Sequence, residues 1–515
     1  AVMLLMILLG VSLKLFQEAK ADRAAAALKA MISVKATVVR DGTPAEVNVQ
    51  VPFVNVSPRG AADWVEYFNA PVGTNPNGGV EWAKVREADG HRAPYRIRRF
   101  EVGNEPFYQS QRYWLDADEA TALGQYLDGD RTTRLKNEPL GKDCDFRAPA
   151  TSDGTSDQTF LVLHPPLENP ALLVDGVRWE RVTRFDGTTM NAYLLDLETG
   201  ELQFGNGSTA RIPRAGATLR ISYDLNHRGF IDFAKAMKQV DPTIEVCSAW
   251  GRPEFAERMQ ARGEPFDCVI AHPYTIFEAP SATPADLWVD HMAGEELQGG
   301  RLRELVTATR AAGGQVMVSE FGAIGEPAQT LRSAGVPWAD DWAATQLHAL
   351  YMASVLVRGL HQRLPYTQGG TLTASGSRSV LSTFDGAIVP SAHAKVLEVV
   401  GTMLDRGGRH VSAELRGNVV EGDELNPPQP YAALLATATR DDSGSLDVLV
   451  VNRSRTKDYR LALELAGGRF TGASFLQRVN SVDGSPFAVN TPAAPNAVTI
   501  TRSRTEPGSP HEYLV

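Results

Sequence analysis

Apolar and polar positions along this chain follow two rhythms, and the rhythm switches from one stretch to the next. Residues 1–16, AVMLLMILLGVSLKLF, are almost wholly apolar and are broken by Lys14. The run falls short of the roughly 20 residues that a membrane-spanning helix needs. It lacks a basic leading segment, so it is also a poorly formed secretion signal. A polar, Ala-rich stretch then predicts a helix. SVKATVVRDGTPAEVNVQV alternates on both sides of Asp41-Gly42 and predicts a hairpin. VPFVNV predicts a buried strand. RGAADWVEYFNAP places Ala62, Val65 and Phe68 at helical spacing. RIRRFEVGNEP is the next strand.

From Lys136 to about Tyr223 the period becomes two. LLVDGVRWERVTRF, NAYLLDLETGELQFGNG and ATLRISYDL predict strands joined by Asp-Gly, Thr-Gly and Gly-Asn-Gly turns. Helix and strand then alternate through FIDFAKAMKQVDPTIEVCSAWG, FAERMQARGEPFDCVIAHPYTIF and LRELVTATRAAGGQVMVSEFGAIG, followed by a long helix, WAATQLHALYMASVLVRGLHQRL. Repeated units of this kind predict a parallel sheet with helices outside it. After about Gly407 only strand patterns remain, which predicts an antiparallel sandwich. The expected organisation is an N-terminal helix and hairpin (1–50), a barrel in two parts (51–114 and 226–405), an inserted β-domain (115–225) and a C-terminal β-sandwich (406–515). The fold class is α/β, a (β/α)8 barrel.

Composition narrows the function. The 515 residues carry a net charge of -10, which excludes the basic footprint of a nucleic-acid binder. A membrane partner is not expected. Cys144, Cys247 and Cys268 show no CxxC or Cys/His spacing, so they read as buried thiols, and no metal or cofactor is expected. The N-terminus leaves location open between secreted and cytoplasmic.

Three predicted barrel strands end in polar residues: EVGNE at 101–105, VIAHPY at 269–274 and VMVSEF at 316–321. In a (β/α) barrel the C-terminal strand ends line the active site. Alone, Gly103-Asn104-Glu105-Pro106 is equally a turn, since Gly, Asn and Pro are turn formers. With Glu320 on a second strand end it supplies the pair of carboxylates that glycoside hydrolysis requires. The two glutamates lie 215 positions apart. Removing the predicted insert brings them to the spacing of three βα units of about thirty residues each.

GNEP, AHPY and VSEFG together resemble clan-A retaining glycoside hydrolases, and VNVSPRGAADWVEYFNAP with AKAMKQVDPTIEVCSAWG resembles the α-L-arabinofuranosidase family of that clan, family fifty-one. The resemblance implies that Glu105 is the general acid/base and Glu320 the nucleophile. It implies that Asn104 binds the hydroxyl beside the anomeric carbon, and that His272 and Tyr274 lie under the sugar, with Tyr274 near the nucleophile. Trp250 and Asn55 are further candidates for substrate contact, Trp250 equally as a cap on the barrel. The implied substrate is a poly- or oligosaccharide. Alternatives are a β-xylosidase, endoglucanase or glucuronidase using the same glutamates, or a carbohydrate-binding or assembly protein without turnover. Residues 1–45 resemble a fragment of magnesium-transporting P-type ATPases without their DKTGT or TGE motifs, and residues 165–224 resemble the small β-domains of phage baseplates. VPFVNV would match the third barrel strand, leaving no typical first and second. Three outcomes follow: substitute strands from residues 35–56, closure by a second protomer in a homo-oligomer, or an open barrel with weak activity.

Overall fold

The computed structural model describes residues 48–515, apart from 55, 143–149, 157, 366, 368–372, 376–379, 385–386, 426, 467–473, 506–511 and 515, and upstream of these only 39–40 and 43–44. The chain divides into two compact units, 1–47 and 48–515. In the first, Val39–Arg40 pairs antiparallel with Thr43–Pro44, within the stretch where the sequence predicts a hairpin. The predicted N-terminal helix lies outside the described residues, and of residues 35–47 only these two short strands are described.

The second unit is built on a parallel sheet that forms consecutive positions of a (β/α)8 barrel. Its strands are β1 (Asn48–Val51), β2 (Arg99–Val102), β3 (Glu245–Ser248), β4 (Cys268–Ala271) and β5 (Gln315–Val318), adjacent in that order. A parallel bridge from Val318 to Thr367 marks the next position. VPFVNV is therefore not the strand itself. Its first residue, Val51, ends β1, and Asn48–Val51, expected to close the hairpin, pairs in parallel with β2 instead. Alternation in the sheet sorts the two faces. Phe100 of β2 points outward to Phe68, with ring centroids 6.3 Å apart. Glu101 points inward, where Asn48 of β1 reaches it.

Helices cover the outer face. α1 (Pro58–Asn69) starts at Ser57, whose side chain accepts from the Gly60 N–H, with Pro58 at the first helical position. α2 (Glu119–Asp128), α3 (Phe230–Val240), α4 (Pro253–Arg262), α5 (Pro284–Ala311), α6 (Gln346–His361) and α7 (Ala392–Asp405) follow. α5 opens with a reciprocal cap between Thr283 and Asp286.

Between β4 and β3 the barrel interior holds a disulfide, Cys247–Cys268, packed with Ile270 and Met317. This corrects the expectation of free buried thiols. The two cysteines lie 21 positions apart but are direct partners across parallel strands, a proximity that sequence spacing does not reveal.

The inserted domain is an eight-stranded sheet. In spatial order its strands are Arg134–Pro139, Leu219–Leu225, Leu167–Val174, Val177–Arg181, Ala192–Leu195, Glu201–Phe204, Thr159–Leu161 and Gly141–Lys142. Its neck is the short ladder Asp130–His227 and Gly129–Arg228. The insert thus starts later than residue 115. α2 precedes the neck and belongs to the barrel: fully buried Tyr126 donates to the Val102 carbonyl and packs on Phe53 and Trp250.

After α7 come antiparallel ladders, including Leu434–Arg440 with Leu446–Asn452 and Ser474–Ser481 with Val498–Thr505. A buried ion cluster joins them to the barrel. Arg453, fully buried, meets Glu295 at 3.1 Å and Glu296 at 2.7 Å on α5, and Arg358 of α6 meets the same carboxylates at 2.6 and 2.9 Å.

Candidate active site

The strand ends at β2, β4 and β5 bring their polar residues into one cluster. β2 runs out into Gly103, whose φ of +94° suits a residue without Cβ; a Cβ there would sit 3.2 Å from the Phe53 Cβ. Glu105 itself has φ +43°, a left-handed conformation that costs a non-glycine residue energy and is concentrated at functional sites. The sharp turn aims the Glu105 carboxyl across the barrel mouth to β4. There His272 Nδ1 lies 2.9 Å from Glu105 Oε1.

His272 is the hub. Its Nε2 lies 2.8 Å from Ser319 Oγ and 4.0 Å from Glu320 Oε1. Two glutamates from different strand ends therefore flank one imidazole. His272 is nearly fully buried, Glu105 is 17% exposed and Glu320 is 44% exposed, so both carboxyls reach solvent while the ring that links them does not. Burial works against a charged His272, but the hydrogen bond to Glu105 and the charges of Glu101, Glu320 and Glu105 outweigh it and raise its pKa.

Tyr274 donates to Glu320 Oε2 at 3.1 Å, leaving Oε1 open. Burial and then the Glu320 charge push the Tyr274 phenol up, so it stays protonated and remains a donor. Gln50 of β1 donates to Asn104 Oδ1 at 3.0 Å. That bond fixes the Asn104 amide with its nitrogen turned away from Gln50.

Two other candidates are placed differently. Trp250 is fully buried and packs against Tyr126 and Phe107 at 5.6 and 6.4 Å between ring centroids. It caps the core beneath the site and offers no face to a sugar. Asn55 lies outside the described residues. The aromatics after Pro106 also divide: Phe107 and Trp114 turn inward, and Tyr113 is exposed. A groove of about 380 Å3 lined by Ile231, Ala234, Val246 and Phe266 lies on the outer wall and contains none of the residues of the cluster.

Sequence reasoning missed Glu101, Ser319, Asn48 and Gln50. Glu101 Oε2 accepts from Asn48 Nδ2 at 2.9 Å and from Ser319 Oγ at 3.2 Å. The available signal was a carboxylate within FEV, in a parallel strand expected to be buried on both faces and so to read as a continuous apolar run.

The arrangement brings two carboxyls, a buried imidazole, a phenol and an amide together at one mouth. Residues 25–121 match the family model of the alpha-L-arabinofuranosidase 1 domain. The match begins inside the segment that resembles a P-type ATPase; neither that resemblance nor the one to baseplate domains is shown. No curated protein matches the chain. Solved structures share the fold. The alpha-L-arabinofuranosidase from Thermotoga maritima, as its arabinose complex, is 14% identical with a TM-score of 0.51, covering 91% of this chain and 72% of that one. The family 51 arabinofuranosidase from Xanthomonas axonopodis pv. citri is 12% identical with a TM-score of 0.55, covering 91% and 73%. A family 51 alpha-L-arabinofuranosidase from Bifidobacterium longum is 14% identical with a TM-score of 0.53, covering 90% and 75%.

Proposed function

We propose that this chain, a glycoside hydrolase by its matched domain, is an α-L-arabinofuranosidase-like enzyme that retains anomeric configuration by double displacement. The observation that carries the reading is the convergence of Glu105 and Glu320 on His272 from the ends of β2 and β5.

In the first step the Glu105 carboxyl gives its proton to the leaving-group oxygen while Glu320 Oε1 attacks the anomeric carbon. The bond to the leaving group breaks and a glycosyl ester forms on Glu320. In the second step Glu105, now a carboxylate, takes a proton from water, and the water oxygen displaces Glu320. Tyr274 holds the far oxygen of Glu320. Asn104, held by Gln50, offers its amide nitrogen to the sugar hydroxyl beside the reacting carbon. The substrate class is an arabinofuranoside in a poly- or oligosaccharide, a choice that rests on the matched domain.

A panel of aryl glycosides tests the reading. Hydrolysis of the aryl α-L-arabinofuranoside, lost in Glu320→Ala, is the expected result. Preference for an aryl β-xyloside or β-glucuronide would move the specificity elsewhere in the clan. Binding without turnover of any glycoside would contradict the enzyme reading.

A further inference from the structure

We propose that Glu101 is a positioning residue: acting through Ser319, it fixes which nitrogen of His272 holds a proton and so governs how a proton is held at Glu105. The inference rests on the acid/base role of Glu105 set out above. Glu101 projects into the barrel four positions before Glu105 and is 1% exposed.

The argument is a count of protons. Ser319 Oγ has one hydrogen to donate, and the acceptor it meets at 3.2 Å is Glu101 Oε2. That hydrogen is then not available to His272. The 2.8 Å contact between Ser319 Oγ and His272 Nε2 must run the other way, with Nε2–H donating to the hydroxyl. With Nε2 protonated, the 2.9 Å contact to Glu105 Oε1 has two forms. Either Nδ1–H donates to the Glu105 carboxylate, or a bare Nδ1 accepts from the protonated carboxyl. In both forms one proton, besides the one on Nε2, lies between His272 Nδ1 and Glu105 Oε1. It leaves with the aglycone in the first step and is replaced from the attacking water in the second.

Without the acceptor at Glu101 the Ser319 hydroxyl is released to donate to Nε2. The proton of a neutral imidazole then moves to Nδ1, where it holds Glu105 as a carboxylate and removes the acid. The second oxygen of Glu101, Oε1, has no hydrogen-bond partner among the described residues and lies 3.8 Å from His272 Nε2. The other ionisable groups facing His272 are Glu105, Glu320 and Tyr274. Burial pushes the Glu101 carboxyl up, opposed by His272, Asn48 and Ser319.

Nitrogen–proton NMR of the imidazoles in the full chain reads tautomer and titration without turnover. His272 is assigned by the loss of its signals in His272→Gln. In the wild-type protein Nε2 stays protonated across the titration. Glu101→Gln lowers the His272 midpoint by about one pH unit, the scale of losing a charge within a few ångströms. Ser319→Ala, a smaller change should Glu101→Gln fail to fold, spreads the proton over both nitrogens. In turnover, the basic limb of the kcat/KM profile of Glu101→Gln moves to lower pH. A His272 tautomer and midpoint unchanged in both variants would overturn the proposal. The NMR changes without any glycoside turnover would overturn the enzyme reading and leave the link from Glu101 to His272 standing.

Discussion

His272 and Glu105 share a hydrogen bond of 2.9 Å although 167 positions separate them. The contact ties the proposed acid/base carboxyl to a buried ring, so removing the ring should impair the step in which a proton is delivered. His272→Gln is expected to lower kcat/KM on substrates with poor leaving groups by about 10²-fold, the low end of what positioned proton transfer contributes. Substrates with strongly acidic leaving groups should lose much less. A Brønsted plot of rate against leaving-group pKa checks this.

The same ring gives a stability signature. Its folded pKa is raised, since the hydrogen bond to Glu105 and the nearby carboxylates outweigh burial. A raised histidine contributes stability in full below its unfolded value, about 6.5, and loses it as pH rises through the folded value. The difference in unfolding free energy between wild type and His272→Gln should therefore shrink as pH rises from about 6.5. Urea titrations at several pH values measure it, and a constant difference would sink the idea.

Glu105→Ala should leave the first step intact for substrates whose leaving group needs no proton. The glycosyl ester on Glu320 would then accumulate, and azide should release it as a glycosyl azide of retained configuration. Azide without effect on Glu105→Ala would remove the acid/base assignment.

Arg453 holds the C-terminal ladders to α5 through Glu295 and Glu296. Taking away one partner leaves buried carboxylates facing fewer cations, which costs about 3–5 kcal/mol. Arg453→Ala should lose that much in chemical denaturation. Arg453→Met and Arg358→Met combined with Glu295→Gln and Glu296→Gln, which neutralises the whole cluster as a set, should lose less.

The neck of the insert predicts where it can be cut. Asp130 and His227 are direct ladder partners, so a tight turn can replace residues 131–226. The shortened chain should fold and keep the His272 cluster, with an altered substrate range or oligomeric state. Cutting from residue 120 instead removes Tyr126 from the core and should yield aggregated protein. Circular dichroism and size-exclusion chromatography distinguish the two.

The units that sequence made legible are those with a strong period. The helices before β3, β4 and β5, the two-residue period of the insert and the polar strand ends at Glu105, His272 and Glu320 all follow from local pattern. What was not legible depends on pairing. Asn48–Val51 alternates as well as any hairpin strand, and only its partner, β2, decides its place. Cys247 and Cys268 meet because β3 and β4 lie in register. Trp250 reads equally as a sugar platform and as a cap on the barrel, and Tyr126, supplied by a helix 124 positions upstream, decides for the cap by burying it. Ser319 joins the site through hydrogen bonds across the barrel that no spacing in the chain announces, and Glu101 is marked only by being a carboxylate inside a buried strand.

The central claim is that Glu320 is the nucleophile, and trapping the glycosyl ester tests it most directly. A 2-deoxy-2-fluoro arabinofuranoside with an activated leaving group slows both steps but lets the first proceed. Peptide mass spectrometry should find one fluoroglycosyl group on the peptide containing Ser319-Glu320-Phe321, with the mass on Glu320. Label on Glu105 or on any other residue, or an inverted sugar as the first product of the natural substrate, would contradict it.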